Sequence, residues 1–286
     1  MDYVIGFFMV LFKSIVSVFS KKHAEEINIK THLFILSVLN FIYILVLFKN
    51  LYNLIPKILF GTSIYILLFL LSHFSFRILT NISQMKIYAR KDIDLNMISA
   101  FISTNTIISL ASYFVMQHNF KLYVFCAFIL ANLGVVIMTL DKSNGKINFY
   151  FKKDIIFIVL INYFTSGVKA IMINVLLNHF SPIEMVLLDV LNYFIVFGIM
   201  YRSQIKDITA EPFKYKFYPI IVLLNVIAIF LEVRLTMNIE LFCIIQFLTP
   251  VLTLILSIWF LNSKLTKRQL MGIMITTIGV TVTKIE

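Results

Sequence analysis

Ten stretches of about 20 mostly apolar residues, separated by short polar connections, leave this chain one environment. A helix of that length and composition crosses the hydrocarbon core of a bilayer and satisfies its own backbone there. The stretches run over residues 2–20, 31–49, 57–79, 95–116, 120–140, 153–178, 182–201, 215–236, 239–261 and 267–284. Of the 286 residues, 60% are hydrophobic and 14% charged, against about 25% charged in a soluble domain. The longest connections, 80–94, 141–152 and 202–214, are too short to hold a separate domain. The predicted fold is an all-α membrane protein with ten transmembrane helices.

The basic residues give an orientation, because short cytoplasmic loops collect Lys and Arg. Connections 1–2, 3–4, 5–6, 7–8 and 9–10 carry 17 Lys and Arg, and the opposite side, termini included, carries 5. The first set is predicted cytoplasmic and both termini outside. Short loops with this lysine bias suit a bacterial inner membrane. The net charge of +11 is read as this topogenic signal, and no soluble domain offers a nucleic-acid face.

The chain carries a weak internal echo. Leu133-Gly134-Val135 corresponds to Ile278-Gly279-Val280, Phe76-Arg77 through Asn81 to Val233-Arg234 through Asn238, and Lys13 to Lys169. Each half, 1–140 and 153–286, then holds five stretches, with 141–152 as a cytoplasmic connection. Five is odd, so the halves are expected to be inverted relative to each other, which places a binding site between them near the midplane.

One segment is more specific. Thr249-Pro250 opens the ninth stretch, a short turn follows, and Lys264-Leu265-Thr266, Gln269 and Gly272-Ile273 open the tenth. With Lys13 and Lys169 in the first stretch of each half and Ser181-Pro182 before the seventh, this pattern resembles the drug/metabolite transporter superfamily in its ten-helix EamA-like branch. The chain departs from that pattern at Asn262-Ser263, where relatives carry Gly-Glu, and at Asp189, where an Arg is common. The resemblance implies two inverted five-helix repeats around a central polar cavity that moves small metabolites without ATP.

Charges at membrane depth face a cavity or a partner. Lys13, Lys169 and Asp189 lie deepest within the predicted spans, while Arg77, Glu184, Glu232 and Arg234 fall nearer their ends. Two readings stand side by side: Lys169 pairs with Asp189 on the next helix, or Lys13 and Lys169 offer positive charge to a substrate carboxylate or phosphate. Helical spacing adds neutral candidates. Asn162, Thr165, Ser166 and Lys169 share one stripe, Asp189, Asn192 and Tyr193 another, and Gln246, Thr249, Thr253 and Ser257 a third. Ser99, Ser103 and Thr106 form a further stripe in the fourth stretch. The expected substrate-binding set is Lys13, Asn162, Lys169, Asp189, Asn192, Gln246 and Thr249. Pro250 removes a backbone donor and is read as a gate or a static kink. The small residues Ala127, Ala131 and Gly134, and Gly272, Thr276 and Gly279, form ridges for close helix packing or for a homodimer seam.

Enzyme chemistry finds little support. The five His are scattered without metal-ligand spacing, and no glycine-rich phosphate loop or nucleophile motif occurs. No metal or cofactor is expected, and the partners are a small-molecule substrate and the lipid bilayer. The sequence therefore points to a secondary or facilitative transporter of a small polar metabolite, an amino acid or related compound, by alternating access. Two alternatives are a flippase for a lipid-linked sugar or head group and a non-transporting membrane scaffold subunit.

Overall fold

The structure is a computed structural model. It describes residues 2–24, 26–47, 54, 56–58, 61–90, 95, 109, 114, 122–139, 141–143, 146–148, 153–261 and 266–282. Helices α1 (Asp2–Ala24), α2 (Ile29–Leu47), α3 (Ile64–Tyr88) and α4 (Leu122–Thr139) come first. A short antiparallel pair, β1 (Asp141–Ser143) and β2 (Lys146–Asn148), lies within the predicted connection 141–152. Then follow α5 (Lys153–Leu176), α6 (Pro182–Tyr193), the short α7 (Ile205–Ala210), α8 (Tyr218–Leu235), α9 (Ile239–Gln246), α10 (Leu248–Leu261) and α11 (Lys267–Val282). Among the described residues, six helical segments are long and apolar enough to cross a membrane. Of the fourth predicted stretch only Leu95, Ser109 and Phe114 are described. Its stripe of Ser99, Ser103 and Thr106 lies outside the described residues, as does the Asn262–Leu265 turn.

Capping fixes several helix starts. Ser181 accepts from the Glu184 amide, the Glu184 carboxylate accepts from the Ser181 amide, and Pro182 occupies the first turn, which together form a capping box. Thr266 and Gln269 form the same device at the start of α11, with Gln269 Oε1 accepting from the Thr266 amide at 2.8 Å. The Thr and Gln of the recognised hairpin motif are therefore a helix start.

The third helix departs from the sequence reading. Apolarity placed it at 57–79, whereas α3 runs from Ile64 to Tyr88. Ser63 caps its start. Its last turns are polar because they face protein: Thr80 donates to Thr165, and Asn162 donates to the Thr80 carbonyl and Ser83 hydroxyl, each at 3.0 Å. The shift moves Arg77 from a predicted span end to the middle of the helix.

Two packing modes organise the rest. α1 packs on α8 and α10, and α3 on α5, around a shared polar interior. α4 and α11 pack through small residues instead. A Cβ on Gly134 would lie 2.5 Å from the Thr276 amide and 2.6 Å from the Gly272 carbonyl; one on Gly279 would lie 2.6 Å from the Ala131 amide. The two ridges read from the sequence thus face each other within one chain. Gly134→Ala and Gly279→Ala are each expected to cost about 1–3 kcal/mol, the usual penalty of overpacking, and to lower the thermal midpoint of the detergent-purified protein. Gly61→Ala, where the nearest atom is Lys57 Cγ at 3.9 Å, is expected to change stability by no more than about 0.5 kcal/mol. Equal behaviour of all three variants would contradict this packing.

Candidate functional site

The polar interior encloses a cavity of about 190 Å³ bounded by α1, α2, α3, α5, α6, α8, α9 and α10, with Ser109 also at its wall. Helical period explains why these side chains meet. On α3, His73, Arg77, Thr80 and Gln84 follow at i, i+4, i+7 and i+11, one stripe along the helix. On α5, Ser166 and Lys169 turn to the cavity, while Asn162 and Thr165 turn to α3. On α1, Lys13, Ser17 and Ser20 line the wall.

Two carboxylates organise the charges. Glu232 of α8 receives two ammoniums on one oxygen: Lys13 Nζ lies 3.0 Å and Lys169 Nζ 3.4 Å from Oε1. Asp189 of α6 receives α3, with His73 Nε2 2.8 Å from Oδ1 and Arg77 Nη1 3.0 Å from Oδ2. The Arg77 contact is a charge contact without hydrogen-bond alignment, since Oδ2 has no hydrogen-bond partner. Exposure separates the two groups. His73 and Asp189 side chains are fully enclosed, whereas those of Lys13 and Lys169 keep 20% and 15% of their surface. Lys13 Nζ also lies 5.8 Å from the centre of the Phe242 ring, a cation–π distance.

The predicted site residues divide accordingly. Lys13, Lys169, Asp189, Gln246 and Thr249 all line the cavity. Asn162 is buried in the α3–α5 contact, and Asn192, half-buried, is not part of the cavity wall. Pro250 lies just past an interruption: α9 ends at Gln246 and α10 begins at Leu248. The expected Lys169–Asp189 pair is not the pairing observed. Consecutive helices share a loop, but Asp189 points to α3 and Lys169 to α8, so each finds a different partner.

Sequence reasoning passed over His73 and undervalued Arg77 and Glu232. The signal for the first two was present as the α3 stripe, whose polar period runs on past residue 79. Glu232 stands three residues before the end of α8, yet it is buried because the Lys13 and Lys169 ammoniums meet it there. Among the described residues, no group of three or more His, Cys, Asp or Glu is placed to hold a metal ion.

The comparison with known families rests on the helices that supply half of this cavity. Residues 154–285 match the EamA-like transporter family. The second half of the chain is similar to this family of transporters. The resemblance read from Thr249-Pro250 and the turn into α11 falls inside the matched region. The chain is an integral membrane protein, and the family that its second half matches is one of membrane transporters. A search of curated proteins gives no match.

The Asp189 cluster can be tested for its holding role. Removing one member of a buried charge pair costs about 3–5 kcal/mol because the other charge stays buried. Asp189→Asn is expected to lower the thermal midpoint strongly, and Arg77→Met/Asp189→Asn is expected to lose less than the two single variants summed. Strict additivity in this cycle would show that the two residues do not act as a pair.

Proposed function

We propose that this EamA-like protein is a secondary transporter, active or facilitative, that moves a small polar metabolite by alternating access between inverted halves, 1–140 and 153–286, joined by 141–152. The observation that carries the reading is the cavity: charged groups from helices of both halves converge on about 190 Å³. That volume is below the roughly 300–1,000 Å³ of sites for drug-sized ligands, which suits a compact metabolite and speaks against a lipid-linked sugar. A scaffold subunit would pair its polar groups fully. Here Gln246 Oε1 and Thr249 Oγ1 are buried without partners at the cavity residues.

Contacts between the halves support the inverted repeat. Exchanging the halves turns a contact of the third stretch with the sixth into one of the eighth with the first. Both occur, as α3 on α5 and α1 on α8. The same exchange relates two helix contacts marked by hydrogen bonds of opposite direction: Ser109 of the fourth stretch donates to the Gly167 carbonyl of the sixth at 2.8 Å, and Ser14 of the first donates to the Thr249 carbonyl of the ninth at 3.2 Å. The fifth and tenth stretches exchange into each other, and they pack together as α4 on α11. The excess of basic residues on alternate connections supports cytoplasmic placement of those connections, both termini outside, and a bacterial inner membrane.

Metabolite profiling of cells with and without the protein tests the transport reading. At least one small polar metabolite is expected to change severalfold across the membrane with the wild type and not with Lys169→Ala. Profiles that match for all three strains would remove the reading. A C-terminal reporter active only in the cytoplasm is expected to stay silent, and its activity would reverse the orientation.

A further inference from the structure

The cavity carries more positive than negative charge. Among the described residues its wall holds Lys13, Arg77 and Lys169 against Asp189 and Glu232, an excess of one cation (three less two). An uncompensated charge at membrane depth is costly. The excess is also directional. Asp189, although part of the wall, is fully enclosed and already in contact with His73 and Arg77. The side chains of Lys13 and Lys169 keep part of their surface, and both ammoniums use one and the same oxygen of Glu232. An ammonium has three donors, so each has N–H groups beyond the one directed at Glu232. Arg77 Nε is buried without a hydrogen-bond partner.

Resting on the transport reading above, we propose that the substrate is a compact organic oxyanion, a carboxylate or phosphate ester, bound by Lys13 and Lys169 beside Arg77, and that Glu232 holds the anion's place when the cavity is empty. The substrate oxygens accept the donors left over by Glu232 and cancel the excess charge. On α9 and α10, which pack on α1 beside Lys13, the unpartnered Gln246 Oε1 and Thr249 Oγ1 meet a hydroxyl or N–H of the same molecule. Glu232 is then an internal competitor: it keeps two cations paired without substrate and yields part of that pairing on binding. A purely structural Glu232 would behave in the opposite way on substitution, because removing it would only loosen the site.

The experiment measures ligand-induced shifts of the thermal midpoint, and Kd by calorimetry, on the full chain in detergent. The probes are lactate, glutamate, inorganic phosphate and glycerol 3-phosphate, with lactate and glycerol 3-phosphate set against their uncharged counterparts lactamide and glycerol, and agmatine as a cation without a carboxylate. At least one anion is expected to bind saturably, and its uncharged counterpart at least about thirtyfold more weakly, which corresponds to about 2 kcal/mol for a buried charge contact. The lactate and glutamate arms separate a carboxylate site from a phosphate site. Lys169→Gln is expected to weaken the anion by a similar factor, while Glu232→Gln tightens it severalfold. The wild-type panel decides the charge preference even if a variant fails to fold. Absence of binding by every anion, equal binding of uncharged or cationic probes, or weakening in Glu232→Gln overturns the proposal. Uptake of the same probes into proteoliposomes separates the two readings. Transport of an uncharged probe alone removes the anion and keeps the transporter, whereas anion binding with no probe crossing the bilayer keeps the anion site and removes the transporter.

Discussion

Three cations sit in the interior of a membrane protein, and two carboxylates make that tolerable. Lys13, Arg77 and Lys169 would each be costly at that depth alone. Glu232 and Asp189 turn the cost into geometry. A buried charge must keep its partner within a few ångströms, so Glu232 fixes α8 against α1 and α5, and Asp189 fixes α6 against α3. The helices that line the cavity are therefore oriented by electrostatics as well as by shape. Large apolar side chains such as Leu36, Tyr88, Ile229 and Phe242 also pack between these helices, and the charge pairs add directional constraints on rotation that apolar contacts lack.

The α4–α11 pair shows the contrasting solution. It carries no charge at its contact, and its backbones approach closely because Gly134 and Gly279 have no side chain to separate them. Dispersion and close packing hold such a pair in lipid, where the hydrophobic effect between helices is absent. The chain thus combines a tightly packed, uncharged helix pair with a charged, cavity-bearing group of helices. Polar groups at the cavity remain unsatisfied, whereas at α4–α11 Thr276 is tied down by donating to the Ala131 carbonyl at 3.3 Å.

Much of this was readable in the residues, and the failures have one cause. Hydropathy located the helices well where polar residues end with the helix. It misplaced α3 by several residues, because Thr80, Asn81, Ser83 and Gln84 look like a loop but belong to a helix facing protein. The same error hid Arg77 and left His73 without a role. Charge counting held the missing information. Of 25 Lys and Arg, the topology predicted from the sequence puts 17 on one side and 5 on the other. The three left over are Lys13, Arg77 and Lys169, the cations of the cavity. Their partners were not legible, since nothing in a sequence states that Asp189 turns to α3 while Lys169 turns to α8. That depends on the rotation of two helices about their own axes, which many weak contacts decide together.

Irregular backbone lies next to the charged groups, and its position follows from chemistry. Pro250 has no N–H for the Gln246 carbonyl, so the helix cannot run unbroken there, and α9 gives way to α10 at Phe247. The interruption falls between Gln246 and Thr249, the two cavity residues whose side-chain oxygens lack partners. Elsewhere in the wall, the helix carrying Asp189 and Tyr193 continues into a π-helical turn, Phe194–Ile199, a rare, wider winding that is frequent at functional sites. Glu232, by contrast, stands on the uninterrupted α8. The cavity wall therefore includes the continuous α8, which holds the central carboxylate, and two spans whose regular hydrogen bonding breaks within two turns of a cavity-lining residue. Regular helices fix a charge in place. Interrupted ones leave backbone groups without intrahelical partners, and such groups persist at membrane depth only where protein or a polar cavity receives them.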